Sequence, residues 1–262
     1  MGEFIKALGG RLAEHQYHLR HRVRALSLEG EHIRIEASNQ RGELVSCQTQ
    51  YVYLAIPPRL ASSLVFSPAL PTELHHQWQR CDTWMAPHAK YLAVYDRPFW
   101  RAQGLSGSAQ SAAGPMVEIH DASPEQGEGA LFGFIGVPAQ ARQRLSDEAL
   151  RFHCRTQLER LFGPDAAHPK QEFLKDWSTD PFTAVNADAF GRGEHPAAVS
   201  SIVSSGAWQN RLVGIASEWS PRFPGYVAGA IDATDRGVTR FVRQQSLQAL
   251  PPISAYTEVK ND

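Results

Sequence analysis

The chain has 262 residues and a formal net charge of −1, so its composition offers no basic face for nucleic acid or an acidic membrane. Three widely spaced cysteines (Cys47, Cys81 and Cys154) fit a reducing compartment, and no histidine pair has metal-ligand spacing, so we expect no metal site. We recognise neither a signal peptide nor an apolar run of membrane-spanning length and therefore predict a cytoplasmic protein.

Hydrophobic periodicity predicts that the first part of the chain opens on a short helix and continues mainly as strands. The helix contains Phe4, Ile5, Leu8 and Leu12, the strands span 23–28, 32–37, 42–48, 51–56 and 90–95, and a second short helix spans 74–81. Residues 23–37 alternate as an antiparallel hairpin does, whereas 51–56 is continuously apolar and indicates a strand buried on both faces. Segment 57–71 is rich in proline and is predicted to be irregular.

The second part of the chain alternates loops, strands and two longer helices. We predict a loop over 104–115, strands over 116–120, 130–137, 168–176 and 212–216, an amphipathic helix over 147–162 and an irregular segment over 176–196. Gly163 is placed to cap the amphipathic helix. Val227, Ile231, Val238 and Val242 predict a C-terminal helix that begins near Gly225, and residues 251–262 form an unassigned tail.

The start of this last helix is the strongest candidate site in the chain. Gly225 and Gly229 are one turn apart, so one face of the first turn would expose backbone N–H groups and the positive end of the helix dipole. Tyr226 would place its ring beside the same position. Alternatively, the two glycines only let the helix pack tightly on a strand. A basic run over 18–24 has two interpretations as well, a groove for a phosphate-bearing ligand or a solvated strand edge.

Four groups of motifs occur in the order typical of one family. They are Ala55-Ile56-Pro57-Pro58-Arg59-Leu60-Ala61 with Phe66-Ser67-Pro68-Ala69-Leu70-Pro71; Lys90 with Arg97-Pro98-Phe99-Trp100-Arg101 and Gly104-Leu105-Ser106-Gly107; Asp176-Trp177-Ser178-Thr179-Asp180-Pro181; and Glu218 with Gly225-Tyr226 and Gly229-Ala230-Ile231. Together they resemble the flavin-containing amine oxidases, the superfamily of monoamine and polyamine oxidases. The resemblance extends from about residue 2 to residue 242.

The resemblance implies an α/β fold of mixed α+β character, in which a partial FAD-binding Rossmann-like layer is interleaved with a mixed-sheet substrate-type domain. Residues 1–60 and 200–250 would be the remnant of the FAD-binding domain, and residues 61–199 would form the substrate-type domain. Family members begin with a strand, turn and helix that carry Gly-x-Gly-x-x-Gly, where the backbone approaches the FAD pyrophosphate. This chain has no such motif and resembles the C-terminal half of an amine oxidase.

The resemblance also implies roles for particular residues. Lys90 would hold a water against the flavin and assist reoxidation by dioxygen, and Tyr226 would form one wall of an aromatic cage for the substrate amine. The residues implied to contact FAD are Val23, Trp177, Ser217, Glu218, Gly225, Tyr226, Gly229 and Ala230. Three of these residues have a structural alternative: Lys90 as a strand-end lysine, Trp177 as a core side chain and Val23 as a hairpin valine.

Two departures from the family pattern limit these implications. In many members the segment after the tryptophan that matches Trp177 runs to Gly-Gly-Cys-Tyr or Gly-Gly-Ser-Tyr, in which the cysteine can bond covalently to the flavin and the tyrosine forms a wall of the cage. Here residues 182–188 contain no glycine pair, no cysteine and no tyrosine. We therefore expect FAD to bind non-covalently or to be absent from the isolated chain. Ala216 replaces a glycine near the pyrophosphate, where a methyl group hinders close approach.

Two hypotheses of different class follow. In the first, the chain is one part of an FAD-dependent amine oxidase that transfers hydride from an amine-bearing carbon to flavin, with a second chain carrying the dinucleotide-binding half. In the second, it is a truncated, non-catalytic member that binds little or no FAD and acts through an interaction surface or as a homo-oligomer. Loss of a parallel strand would expose a hydrophobic sheet edge and favour such association.

Overall fold

The computed structural model describes residues 2–191, 195 and 197–248, with side chains described up to residue 243. Within these residues the helices are α1 (Gly2–Gly9), α2 (Pro58–Ala61), α3 (Thr72–Arg80), α4 (Phe99–Ala102), α5 (Ala139–Arg142), α6 (Asp147–Phe162) and α7 (Val227–Gln248). The strands are β1 (Arg22–Glu29), β2 (His32–Ser38), β3 (Leu44–Thr49), β4 (Val52–Leu54), β5 (Val65–Ser67), β6 (Ala89–Tyr95), β7 (Ala109–Gln110), β8 (Met116–Asp121), β9 (Gly129–Ile135), β10 (Gln171–Asp176) and β11 (Leu212–Gly214). The predicted mixed α/β class is confirmed. The predicted tail lies outside the described residues.

One hydrophobic core lies between a five-stranded antiparallel sheet and α6. The strand order is β10-β6-β9-β8-β7, and side chains of β6 and β9 alternate between the buried core face and a half-buried opposite face. Tyr91 and Leu131 are on the core face with Leu158 of α6, whereas Lys90 is on the opposite face. Gly163 ends α6 at φ +92° and its N–H donates to the Glu159 carbonyl, so the predicted cap is confirmed.

A second core joins two smaller sheets. Strands β3-β2-β1-β5 form one sheet, and β11 and β4 form a two-stranded parallel pair. Trp78, Trp208 and Trp219 are each at most 1% exposed in this core. Trp78 and Trp219 meet edge to face at 5.2 Å, and the Trp219 indole N–H donates to the Ile56 carbonyl at 2.9 Å. This last bond fixes the chain directly after β4 against the segment that leads into α7.

The segments predicted to be irregular contain short elements. Within 57–71 the structure has α2 and then β5, which pairs in parallel with β1. The loop predicted over 104–115 contains the two-residue strand β7. Propensity does not show these elements because each has at most four residues, and the strands β5 and β7 exist only through pairing with β1 and β8.

The strand predicted over 51–56 is shorter and less buried than expected. It is observed as β4, whose Val52 and Tyr53 are half-buried and whose Leu54 is buried. The prediction of burial on both faces was therefore wrong for most of the strand. Among the described residues β4 pairs only with β11, so one of its edges has no neighbouring strand.

The C-terminal helix is present, but its apolar residues lie on an unexpected side. Val227, Ile231, Val238 and Val242, which we call the apolar stripe of α7, are 48–63% exposed. Ala233 and Gly237 are buried. At Gly237 an added Cβ would lie 3.0 Å from Ile215 and 3.3 Å from Val213, so the small residues bring the helix close to β11.

Arg59, in the Pro-Pro-Arg motif, connects α2 to segments that are distant along the chain. It is 8% exposed, and its guanidinium forms ion pairs with Asp188 at 2.5 Å and with Asp82. Its Nε also donates to the Gln79 carbonyl at 2.8 Å. Asp188 is 1% exposed, so its charge depends on Arg59 and on backbone N–H donors such as that of Val185 at 2.9 Å.

We predict that Arg59→Met lowers the free energy of unfolding by about 3–5 kcal/mol, because it leaves the Asp188 carboxylate buried without its ionic partner. The measurement is urea-induced unfolding followed by fluorescence. Arg80→Met is the matched control, since that side chain is 70% exposed and pairs with Glu73 at 3.4 Å, and we expect it to cost less than about 1 kcal/mol. Equal losses for the two variants would contradict the assignment.

Candidate functional site

Tyr226, directly before α7, belongs to a cluster of three rings. Its ring stacks on His195 with centroids 4.6 Å apart and lies 5.1 Å from Trp84, while Trp84 and His195 are 3.7 Å apart. The His195 Nδ1–H donates to the Pro224 carbonyl at 3.0 Å. Tyr226 remains 49% exposed. Sequence reasoning missed Trp84 and His195, because both lie far from Tyr226 along the chain and neither belongs to a motif.

The two glycines near the start of α7 have different environments. Gly225 has φ +82°, a conformation that favours glycine, and an added Cβ would lie 3.2 Å from the Trp84 ring. At Gly229 an added Cβ would clash with the Phe223 carbonyl and lie 3.0 Å from the Ser217 carbonyl oxygen. The structure therefore favours the packing alternative at Gly229. Its predicted contact with a cofactor stays a prediction.

Ser217 and Glu218 lie in a 3-10 turn (Ser217–Trp219) between β11 and α7. The Ser217 hydroxyl donates to the Glu218 carboxylate at 2.9 Å, and Glu218 is 6% exposed. Ala230 is half-buried in the first turn of α7, where its N–H donates to the Tyr226 carbonyl at 3.2 Å. The structure thus brings Ser217, Glu218, Gly229 and Ala230 together at one end of the β4–β11 pair.

Lys90 lies on the half-buried face of the five-stranded sheet, between aromatic rings. Its Nζ is 5.0 Å from the centroid of the Phe134 ring and 5.6 Å from that of Phe132, which are both on β9. Cation–π attraction to these rings stabilises a lysine within an otherwise apolar strand. No sequence pattern indicates that Phe132 and Phe134 flank Lys90, because cross-strand neighbours depend on register.

Trp177 follows β10 on the neighbouring edge of the same sheet. The Lys175 Nζ lies 4.6 Å from the Trp177 ring centroid, and Lys175 is the cross-strand partner of Lys90. The Trp177 N–H donates to the His88 carbonyl at 3.0 Å. Trp177 is half-buried, so it is not a fully enclosed core side chain.

A buried arginine holds the segment that carries Trp177. Arg142 is 4% exposed and binds both Asp176 carboxylate oxygens at 2.7 Å, while it also donates to the carbonyls of Val137 and Pro87. Asp176 in turn accepts the Ser178 N–H at 2.9 Å. Burial alone raises the pKa of Asp176, but the hydrogen bonds from Arg142 and Ser178 outweigh it and lower the pKa.

His88 lies in the loop that connects the two parts of the site. This loop also carries Trp84, and its Pro87 carbonyl accepts from Arg142. The Nδ1 of His88 is buried without a hydrogen-bond partner among the described residues. Burial lowers the pKa of His88, and the charges of Arg142 and Lys90 lower it further.

Val23 lies apart from these groups. It is 40% exposed on β1 and lines a cavity of about 670 Å³ together with residues 52–56. His21, Arg22 and Arg24 from the basic run line the same cavity, and the Arg22 guanidinium lies 5.7 Å from the Phe182 ring centroid. Both interpretations of the basic run remain open, because β1 borders this cavity.

The residues that the structure describes contain neither a metal-binding group of side chains nor a membrane-spanning helix. In residues 2–191, 195 and 197–248, no group of three or more histidine, cysteine, aspartate or glutamate side chains is arranged to hold a metal ion. Over the same ranges, no helix combines the length and apolar composition needed to cross a bilayer.

Comparison with known proteins decides the family. The model of the family described as flavin containing amine oxidoreductase matches residues 1–239. The chain belongs to this family. The resemblance carried by the four motif groups is thereby confirmed.

Several family relatives are much longer than the chain. This chain is 32% identical over 202 residues to the putative flavin-containing monoamine oxidase AofH of Mycobacterium tuberculosis. The aligned region covers 71% of this chain and 40% of AofH. It is 33% identical over 145 residues to putrescine oxidase of Kocuria rosea, covering 50% of this chain and 28% of that protein. The chain thus spans about two fifths or less of the length of these relatives.

Solved structures show the same fold. Cyclohexylamine oxidase from Brevibacterium oxydans IH-35A has a TM-score of 0.72 at 19% identity and covers 91% of this chain and 51% of that chain. Wild-type putrescine oxidase bound to putrescine has a TM-score of 0.65 at 23% identity, covering 85% and 49%. The fold expected from the resemblance is confirmed.

We predict that His88 makes stability depend on pH. Because its pKa is lowered in the folded chain, the unfolded chain takes up a proton first when the pH falls below about 6.5, the ordinary value for histidine. Stability contributed by neutral His88 is therefore present above that pH and is lost as the pH falls. Urea unfolding of wild type and His88→Gln between pH 7.5 and 5.5 should show a smaller loss in the variant, and parallel curves would contradict this.

Proposed function

We propose that this chain is the flavin-ring-binding part of an FAD-dependent, amine oxidase-like oxidoreductase and that another polypeptide supplies the dinucleotide-binding unit. The observation that carries the proposal is the grouping of Tyr226, Lys90 and Trp177 around the loop that bears Trp84 and His88. Family membership supports FAD as the cofactor. The substrate would be a small-molecule amine.

The residues present suit the ring end of FAD better than its pyrophosphate. The exposed face of Tyr226, the N-terminus of α7 and the ammonium of Lys90 are available to a flat ring system that carries carbonyl groups. Ala216 and the absence of a Gly-x-Gly-x-x-Gly motif leave the pyrophosphate without its usual loop in this chain. Val23, beside a cavity with basic side chains, would face the adenosine end.

The protein residues would bind and orient the reactants, and bound FAD would supply the hydride acceptor. Lys90 would hold a water by donating from Nζ, and its aromatic neighbours would limit access of bulk water to that ammonium. Trp177 and Tyr226 would flank the ring, and Gly225 would allow close approach at the start of α7. Ser217 and Glu218 would contact the polar chain of the cofactor. Gly229 and Ala230 would complete the first turn of the helix.

The proposed attachment of FAD is non-covalent. Residues 177–188, where the family pattern places a linking cysteine, contain no cysteine. Cys81 and Cys154 are buried, and Cys47 is on β3. Three free cysteines also suit the cytoplasmic location that belongs to this proposal.

One observation favours a second candidate, a non-catalytic member of the family that acts through its surface. The rings of His195 and Tyr226 are 4.6 Å apart, so a substrate amine has no space between them. In this candidate the chain would bind little FAD, with or without a complementing half.

The visible absorbance spectrum separates the two candidates. The chain is mixed with FAD alone, and then with FAD and the amino-terminal half of AofH, which by the family pattern carries the dinucleotide-binding unit. We expect a bound-flavin spectrum, bleached by an amine, only with the added half. A complex of the two polypeptides that stays colourless would overturn the catalytic proposal and favour the second candidate.

For the active assembly we predict that Lys90→Met slows reoxidation of the reduced flavin by dioxygen about tenfold or more, whereas the rate of flavin reduction changes little. A tenfold loss corresponds to about 1.4 kcal/mol of transition-state stabilisation. Stopped-flow absorbance measures both steps. Lys170→Met is the control, since Lys170 pairs with Glu128 at the surface, and equal reoxidation in Lys90→Met and wild type would remove Lys90 from the mechanism.

A further inference from the structure

A cavity lies between the side of α7 and the chain that borders the outer edge of β11. Its volume is about 500 Å³, which is in the range of small-molecule sites. Ser201 and Ile202 line it on the side of β11. They are fixed there, because the Gly214 N–H donates to the Ser201 carbonyl at 2.7 Å and Ile202 forms a bridge to Val213. The buried Gly237 lines it on the side of α7, where the helix packs closely on β11.

Three arginines of α7 also line this cavity. Arg236, Arg240 and Arg243 follow one another at intervals of four and three residues, so they lie within about 60° of arc on one flank of the helix. Like charges at these intervals repel each other and destabilise a helix. The remainder of α7, 244–248, has no acidic residue that could offset them. A bound anion would relieve the repulsion.

The guanidinium groups of these arginines have no carboxylate partner among the described side chains. Arg240 is half-buried, and its Nη2 donates to the neutral amide oxygen of Asn210 at 2.7 Å. Within the part of the chain that the structure describes, Arg236 and Arg243 form no ion pair. Asp235 lines the cavity as well but is not paired with any of the three. The lining therefore carries an excess of two positive charges.

The chemistry of the lining suits a phosphate group that carries an organic part. Guanidinium groups only donate hydrogen bonds, and their planar fork matches phosphate oxygens in pairs. The hydroxyl groups of Ser201 and Thr239 add two further donors. A phosphate monoester has a charge of about −1.5 to −2 at neutral pH, which matches the excess. Ile202 and Val213 add apolar surface, and the cavity has room for more than a single phosphate group.

This cavity is separate from the candidate flavin site. Tyr226 directly precedes α7, so Arg236 and Arg243 are about 15 to 25 Å farther along the helix axis. Phe241, whose ring contacts that of Tyr53, marks the flank of α7 above β4, and the arginines lie on the flank beside β11. Ligands of parallel sheets bind at the carboxyl ends of the strands, whereas this cavity extends along the side of the helix.

We propose that the cavity between α7 and residues 201–202 binds a small-molecule phosphate ester. Arg240 holds the phosphate, Arg236 and Arg243 flank it, and the organic part lies against Ile202. The inference goes beyond the proposed function, since it concerns neither FAD nor an amine. Nucleic acid fits less well, because the chain as a whole has a net charge of −1.

The test is isothermal titration calorimetry of the full chain at low salt and without flavin. The probes are glucose 6-phosphate and glycerol 3-phosphate, which have no adenine or flavin ring and therefore do not report on the cofactor site. We expect at least one of them to bind at one site per chain with a Kd of about 1 mM or lower. Inorganic phosphate should bind more weakly, and glucose and glycerol should not bind.

Substitutions in the lining should change the affinity in opposite directions. Arg240→Gln should weaken binding at least about tenfold, because it removes a charge-assisted hydrogen bond. Asp235→Asn removes the negative charge of the lining and should tighten binding about twofold or more. Arg22→Gln is the matched control, since it makes the same change of net charge in the other arginine-lined cavity and should bind as the wild type does. Circular dichroism confirms folding, and the exposed Arg236→Gln provides the comparison if Arg240→Gln does not fold.

Four results would overturn the inference. The first is that neither ester binds more tightly than inorganic phosphate. The second is equal binding by Arg240→Gln and Arg22→Gln, and the third is no gain of affinity in Asp235→Asn. The fourth is tighter binding of a short single-stranded oligonucleotide than of either ester, lost in Arg240→Gln, which would assign the cavity to nucleic acid.

Discussion

The parallel pairing of β4 with β11 is the interaction on which the candidate site depends. The carboxyl end of β4 leads to Ile56, whose carbonyl accepts the Trp219 indole N–H. The carboxyl end of β11 leads through the Ser217–Trp219 turn to Tyr226 and α7. In parallel sheets ligands bind at the carboxyl ends of the strands, and here the two ends place the turn and the helix start side by side.

Two buried arginines hold the loop that connects this end of the β4–β11 pair to the aromatic face of the five-stranded sheet. Arg59 binds Asp82 and Asp188, and Arg142 binds Asp176 and the Pro87 carbonyl. The loop over 82–88 is thus held at both ends by charge-assisted hydrogen bonds, which are stronger than neutral ones. This loop supplies Trp84 to the Tyr226 cluster and the carbonyl of His88 to Trp177, so its position fixes the spacing of the two groups.

Much of the framework could be predicted because local pattern and tertiary structure agree. The hairpin of β1 and β2, the length of α6 with its Gly163 cap, and the existence of α7 follow from periodicity and capping rules. The exposed apolar stripe could not be predicted, because periodicity shows that a helix has an apolar side and not what lies against it. The same pattern would arise for a helix buried within one chain.

The candidate site was predictable only where motifs mark it. Motif order led to Lys90, Trp177 and Tyr226, but Trp84, His195 and Arg142 have no sequence signal that links them to these residues. Their proximity depends on sheet register and on loops that close over long separations. Composition predicts that 51–56 is buried on both faces. This prediction was wrong, because apolar side chains line an open sheet edge as readily as a closed core.

Hydrogen exchange at β4 tests the central claim, an unpaired edge on the sheet that carries the site. In the isolated chain the amide of Tyr53 should exchange at least about 100-fold faster than those of Val52 and Leu54, which are on the side of β4 that faces β11. Residue-resolved exchange by NMR gives the three rates directly. Equal protection of Tyr53 and its two neighbours would show that the edge is already paired and would contradict the account.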